Sequence, residues 1–293
     1  MKKGVLYALG SGICWGLSLG IYGRSMAALG FSTVQIAAVR TTISALFFAL
    51  LVLVTDRRAF RIRVRDIWIF VCTGAVSVTL FCIFYFTATQ HCSIAVAEVL
   101  SYTYPMWVIV FSAVLFREKL TRDKLIALVT VLVGCVLVSG ITSGIGDVSL
   151  FGVTMALLSG IMFATYPIFS RFAIPRYGTM TINFYTFLVA SVTTMTIGNP
   201  VEVVTKVASP AAAPVAMIGG ILCAALPYFL YTKAMDTLDN GMVSILATSE
   251  LFVASLVSIV YYREPMSAAQ VAGVLLVFAA IIWLAAKSRA AQE

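Results

Sequence analysis

The chain has 293 residues, is 61% hydrophobic and 11% charged, and carries a formal net charge of +8. About a quarter of the residues of a soluble domain are charged, so the composition excludes a soluble globular fold, and the absence of alternating ten-residue segments excludes a membrane β-barrel. The basic residues fall in short connections between apolar runs, which argues against a nucleic-acid partner and for a polytopic α-helical membrane protein embedded in the lipid bilayer.

In chain order, ten apolar runs follow one another, at roughly 4–22, 32–54, 66–88, 92–115, 121–139, 151–172, 179–197, 211–235, 241–262 and 266–286. Spanning a bilayer takes about 20 apolar residues. The first run follows Met1-Lys2-Lys3 and resembles a signal peptide, but with so many runs downstream a retained span is expected. The six cysteines, Cys14, Cys72, Cys82, Cys92, Cys135 and Cys223, have no CxxC or Cys/His spacing and read as small apolar residues. Short turns make successive helices antiparallel neighbours.

Charge sets the orientation. With the N-terminus in the cytoplasm, sixteen of the twenty basic residues lie inside, Arg57, Arg58, Arg61, Arg63 and Arg65 among them. Outside fall Arg24, Lys206 and Arg263, together with the loop 140–150, which has no basic residue; Arg40 lies within a span. Both termini are then cytoplasmic.

The chain repeats itself. ALGSGICWG at 8–16 matches ALLSGIMFA at 156–164 at five of nine positions, Ala8/Ala156, Leu9/Leu157, Ser11/Ser159, Gly12/Gly160 and Ile13/Ile161. Arg117-Glu118 matches Arg263-Glu264, and Ala88 matches Ala234. Each repeat, 1–145 and 146–293, then holds five helices. Five is odd, so the second copy enters the membrane from the opposite side. The fold expected is all-α and membrane-integral, ten transmembrane helices forming two five-helix inverted-topology repeats. Secondary transporters built this way hold substrate at the repeat interface near the midplane. Gly4, Ala8, Gly12, Gly16 and Gly20, with Gly152, Ala156, Gly160 and Ala164, form small-residue stripes that let helices approach closely.

Depth follows from the helical rise of about 1.5 Å per residue. It puts Trp15, Tyr102, Tyr104 and Phe163 near the midplane, whereas anchoring aromatics belong at the interfaces. The tyrosine hydroxyls need partners there. Pro105 is expected to kink the fourth helix or free the Ser101 carbonyl, and Pro167 and Pro227 to act likewise. The ions inside spans are Arg40, Glu98 and Glu250. Arg40 and Glu98 lie at matched depth, which permits a salt bridge between the second and fourth helices or a gating role. Glu250 is without an obvious cationic partner, and is a candidate to bind a proton or a substrate amino group. His91, the single histidine, falls in an outer turn.

HExxH, GxSxG, a Walker loop and clustered aspartates are all missing, so no enzyme activity, metal or cofactor is expected. Nothing demands a second copy, and a monomer is the expectation.

The stretches YFTAT, YTYP, FREKLT and GVTMALLSGIMFATYPIFSR, with REPMS and AGVLLVFAAIIWL near the end, resemble the ten-helix, two-repeat drug/metabolite transporter superfamily of the EamA type. The turns Glu118-Lys119-Leu120-Thr121 and Glu264-Pro265-Met266-Ser267 are similar to that family's E-x-[LM]-[ST] turn. Trp15, Tyr102-Thr103-Tyr104-Pro105 and Phe163 are similar to the pattern of aromatic amino acid exporters of the YddG type, with Phe163 standing where those carry tryptophan. The resemblance implies an exporter working by alternating access at a bacterial inner membrane.

The expectation is an amino acid exporter of broad range, including aromatic and bulky apolar substrates. Trp15, Tyr102, Tyr104, Phe163, Tyr228 and Glu250 would meet the substrate. Arg40, Glu98, Pro105, Gly12, Gly16 and Gly160 would shape or gate the path. The alternatives are export of another small metabolite or a cationic drug and, far behind, a membrane-embedded transferase or a scaffold.

Overall fold

A computed structural model describes residues 2–91, 94–138, 149–263 and 266–290. Cys92, most of the loop 140–150, and Glu264 and Pro265 of the second charged turn lie outside the described residues, as do the surroundings of Gly20. The described chain is helical: α1 (Lys2–Ala28), α2 (Thr33–Thr55), α3 (Val64–His91), α4 (Ile94–Ser101 and Tyr104–Phe116), α5 (Arg122–Val138), α6 (Leu150–Ala173), α7 (Thr179–Gly198), α8 (Ala212–Ala234), α9 (Asn240–Ala247 and Ser249–Val260) and α10 (Ala268–Ala290). A short surface helix, Pro200–Val207, joins α7 to α8. Among the described residues nine helices are long and apolar enough to span a membrane; α5, with 17 described residues, falls just short.

Polar caps start these helices where the apolar runs begin. Ser32 and Gln35 form a reciprocal capping box at α2, Asp239 caps α9 through Met242 N, and Ser267 with Gln270 does the same at α10. The charged turns after α4 and α9 carry a matched backbone: Arg117 and Arg263 both sit at φ 54°. A left-handed arginine is uncommon, and its recurrence shows the backbone leaving both helices the same way.

The helices pack crosswise. α1 lies against α8 and α9, while α6 lies against α3 and α4; α2 faces α7, and α5 faces α10. The tight spots match as well. Gly4 abuts Thr237 and Gly152 abuts His91; Gly74 abuts Val189 and Gly220 abuts Ile43. Lipid is as apolar as leucine, so close backbone approach and interhelical hydrogen bonds hold such a bundle. Hydroxyl pairs supply the bonds: Thr41–Thr194 at 3.0 Å, Thr73–Thr186 at 2.7 Å, Ser77–Thr165 at 2.6 Å and Thr79–Thr193 at 2.6 Å. Each contributes about 0.6 kcal/mol in membrane helices. Two π-helical stretches, Cys72–Leu80 in α3 and Ile221–Ala225 in α8, occupy corresponding places. Each shifts the register of the residues that follow it, Phe81 to Tyr85 in one case and Tyr228 in the other.

Candidate functional site

The site is organised around breaks in α4 and α9. In α4 the helix interrupts at Tyr102 and Thr103, where Thr103 has φ −70° and ψ −7°. In α9 it interrupts at Thr248, with φ −65° and ψ −4°. The expectation tied kinks to prolines, to Pro105 in α4 and likewise to Pro167 in α6, which runs unbroken, and Pro227 in α8. The structure corrects this, since α9 breaks without a proline. Both breaks carry a threonine hydroxyl bond, one that Thr165 also makes within the unbroken α6. Thr103 Oγ1 donates to the Leu100 carbonyl and Thr248 Oγ1 to the Ile245 carbonyl, each at 2.6 Å. Such a bond competes with the backbone ladder. Pro105 adds to it in α4 by leaving the Ser101 carbonyl without an N–H four residues on.

Glycines let neighbouring helices reach the breaks. A Cβ on Gly160 would come within 2.8 Å of the Ser101 carbonyl, and one on Gly12 within 2.5 Å of the Ala247 carbonyl. Gly16 lies one turn further along α1, where a Cβ would stand 2.6 Å from the Glu250 carbonyl. So α6 rests on the break of α4, and α1 on the break of α9.

Beside the breaks the aromatic residues form one cluster. Trp15 contacts Phe163, Tyr228 and Tyr231 at ring separations of 6.1, 5.3 and 5.9 Å. Tyr104 meets Phe163 edge-on at 4.8 Å, and Tyr166 and Phe187 meet Tyr228 at 4.9 and 5.0 Å. Tyr102 packs against the same group. Edge-to-face pairs of this kind contribute about 0.5–1.5 kcal/mol each. The hydroxyls find partners at depth: Tyr104 donates to the Ser244 carbonyl at 3.1 Å, and Tyr166 Oη pairs with Thr232 Oγ1 at 2.6 Å. Tyr231 is buried, and its hydroxyl has no hydrogen-bond partner among the described residues.

On the other side of the aromatic layer lie three ionisable groups. Glu98 is exposed, and its carboxyl is met by the Tyr85 hydroxyl. Glu250 is half-buried beside the Tyr102 hydroxyl, within electrostatic reach of Glu98 and Arg40. Arg40 is half-buried too. The anticipated Arg40–Glu98 bridge does not form: among the described ion pairs, none within 4.0 Å joins Arg40 to a carboxylate. Its Nη2 instead points at Cys82 Sγ, 3.9 Å away, with Tyr22, Cys223 and Tyr228 nearby. The physical reason is the neighbourhood. Cys82 and the phenols offer soft partial charge around the guanidinium, and Glu98 is drawn to Tyr85. Glu250 therefore lies within electrostatic reach of both Arg40 and Glu98, with no described ion pair joining it to Arg40.

The arginine-rich end is closed beneath this layer. Glu118 accepts from the backbone N–H of Asn240 at 3.1 Å and pairs with Arg171 at 3.5 Å. Arg171 also donates to the Met235 and Leu238 carbonyls at 2.6 and 3.0 Å, and Lys124 pairs with Asp239 at 2.9 Å. These bonds tie α4, α5 and α6 to the α8–α9 turn. Sequence reasoning missed this latch, because its partners are far apart in the chain. It also missed Tyr166 and Tyr231, which a helical spacing of three from Phe163 and from Tyr228 puts on the same faces. Among the described residues no cluster of His, Cys, Asp or Glu is arranged to hold a metal.

Nine described helices long and apolar enough to span a membrane, tied together at the arginine-rich end by these bonds, define a multi-pass membrane protein. The sequence profile of the EamA-like transporter family matches the chain twice, at residues 2–140 and 150–286. The chain belongs to that family. An uncharacterized transporter of Archaeoglobus fulgidus is 24% identical over 192 residues, which is 66% of this chain and 66% of that relative's length. A protein crystal structure superposes with a TM-score of 0.81 over 99% of each chain at 17% identity, a likeness of fold.

Proposed function

We propose that the protein exports amino acids across a bacterial inner membrane, by alternating access between two five-helix halves, 1–145 and 146–293. In this reading the chain makes ten spans, and the arginine-rich end and both termini face the cytoplasm. The doubled family match and the crosswise, paired packing support two halves of opposite topology. The mode of transport is then rocking of the halves about their glycine contacts.

The observation that carries the amino acid reading is the separation of charge between Arg40 and Glu250. Arg40 is uncommitted to a carboxylate and stands within electrostatic reach of Glu250. An α-carboxylate suits the guanidinium, an α-ammonium suits Glu250 and the aromatic faces, and a bulky side chain suits the Trp15, Tyr104, Phe163 and Tyr228 cluster. This is the same residue group that resembles the aromatic amino acid exporters. Phe163 in place of tryptophan widens the range to bulky apolar substrates.

Counterflow in proteoliposomes with a panel of labelled amino acids, run with and without a proton gradient, tests the reading. Flux of aromatic amino acids is expected, with loss on Trp15→Ala and Tyr104→Ala; unchanged flux in both variants would contradict the site. A second reading, export of a cationic drug or another metabolite, draws on the excess of carboxyls, Glu98 and Glu250, over the single Arg40. In that case Glu250→Gln abolishes cation flux while amino acids remain untransported by the parent protein.

A further inference from the structure

A second cavity lies at the arginine-rich end, away from the transport site. It has a volume of about 660 Å³ and sits between the α2–α3 connection, the start of α7 and the inner end of α8. Arg58, Arg61 and Arg63 line it, and all three residues are exposed. Among the described residues none of the three enters an ion pair, whereas the neighbouring Arg176 is matched to Asp66 at 2.9 Å and Lys233 to Asp236 at 2.7 Å. Asp56, the carboxylate on the cavity wall, is turned to the backbone N–H of Arg58 at 2.9 Å. The opposite wall is the first turn of α7, Thr179 to Thr181, whose N-cap is Gly178 with no side-chain cap bond. Ile62, Met180 and Phe229 supply an apolar floor.

Membrane topology requires basic residues in this connection. It does not require three of them, none in a described ion pair, to line one concavity beside the first turn of a helix whose N-cap makes no side-chain bond. Arginine forks and helix N–H groups together are the chemistry that binds phosphate oxygens. We propose that this cavity binds a phosphate group, carried by an anionic lipid headgroup or by a free phosphorylated solute.

The test uses the full chain purified in detergent and three probes: inorganic phosphate, dioctanoyl phosphatidylglycerol and the phosphate-free dioctanoylglycerol. Binding is read by microscale thermophoresis for the parent and two variants. One carries Arg58→Gln, Arg61→Gln and Arg63→Gln. The other carries Arg57→Gln and Arg65→Gln, which lie in the same connection but outside the cavity. Phosphatidylglycerol affinity is expected to fall at least about tenfold in the triple variant, as lost charge-assisted bonds dictate, and to be retained in the double variant. Binding of both phosphate probes assigns a phosphate site open to free solutes, and binding of the phospholipid alone assigns a headgroup site. Equal weakening in both variants, equal affinity for dioctanoylglycerol, or no binding to either phosphate probe overturns the proposal.

Discussion

The fourth and ninth helices make the same backbone break with different side chains around it. In α4 the break carries Tyr102, Tyr104 and Pro105; in α9 it carries Glu250 and Leu251. The two threonine bonds, Thr103 to Leu100 and Thr248 to Ile245, are alike in partner spacing and length. So is the glycine on the helix that rests against each break. The likeness teaches that the interruption belongs to the architecture. The difference is one of chemistry: one break carries phenols and the other a carboxyl, Glu250, beside the Tyr102 hydroxyl.

The comparison breaks most severely at the glycines. In Gly12→Val the new side chain would press on backbone atoms, the Ala247 carbonyl and the Glu250 N–H, which cannot yield as a side chain tip can. A loss of about 3 kcal/mol is expected, seen as a lowered melting temperature in detergent. Gly160→Val should lose less, because the contacts at α4 are looser, 2.8 Å against 2.5 Å at the closest carbonyl. Equal effects would mean that the two breaks are not packed differently.

Next in size is the latch below the breaks. Glu118→Gln removes the charge that faces Arg171 and weakens the bond from Asn240 N. A cost of about 2 kcal/mol to the closed end is expected, together with faster labelling, from the arginine-rich side, of a cysteine put in place of Ser244. Unchanged labelling would show that the latch does not hold that end shut.

Smaller effects sharpen the comparison. Tyr104→Phe forfeits the bond to the Ser244 carbonyl and should destabilise by about 1 kcal/mol. Pro105→Ala should be mildest, under about 1 kcal/mol, with the break intact in a structure of the variant, since α9 breaks without proline. A straightened α4 in that structure would return the cause to Pro105.

Much of this molecule was legible in the chain. Apolar run length marked the helices, with starts and ends within several residues of those observed. The match of residues 8–16 to 156–164 anticipated that α1 and α6 would occupy corresponding contacts. Trp15, Tyr104 and Phe163, chosen from depth and resemblance, do share ring contacts. Matched depth misled in the case of Arg40 and Glu98. Depth along the membrane normal carries no information on azimuth, and each side chain turns to a different neighbour. The break in α9 was hidden by the more conspicuous proline of α4. The latch was invisible for a related reason: a bond between Glu118 and Asn240 spans 122 positions, and no periodicity in either helix encodes it.

The central claim is that a zwitterion is held between Arg40 and Glu250 against the aromatic layer. It is tested most directly by competition in proteoliposome counterflow of labelled phenylalanine. The competitors are phenylalanine itself, its amide, which lacks the carboxylate, and 3-phenylpropionate, which lacks the ammonium. The account predicts that phenylalanine competes and that neither single-charge analogue does. Competition by the amide equal to that of phenylalanine would contradict it, and would leave Arg40 without a role in substrate recognition.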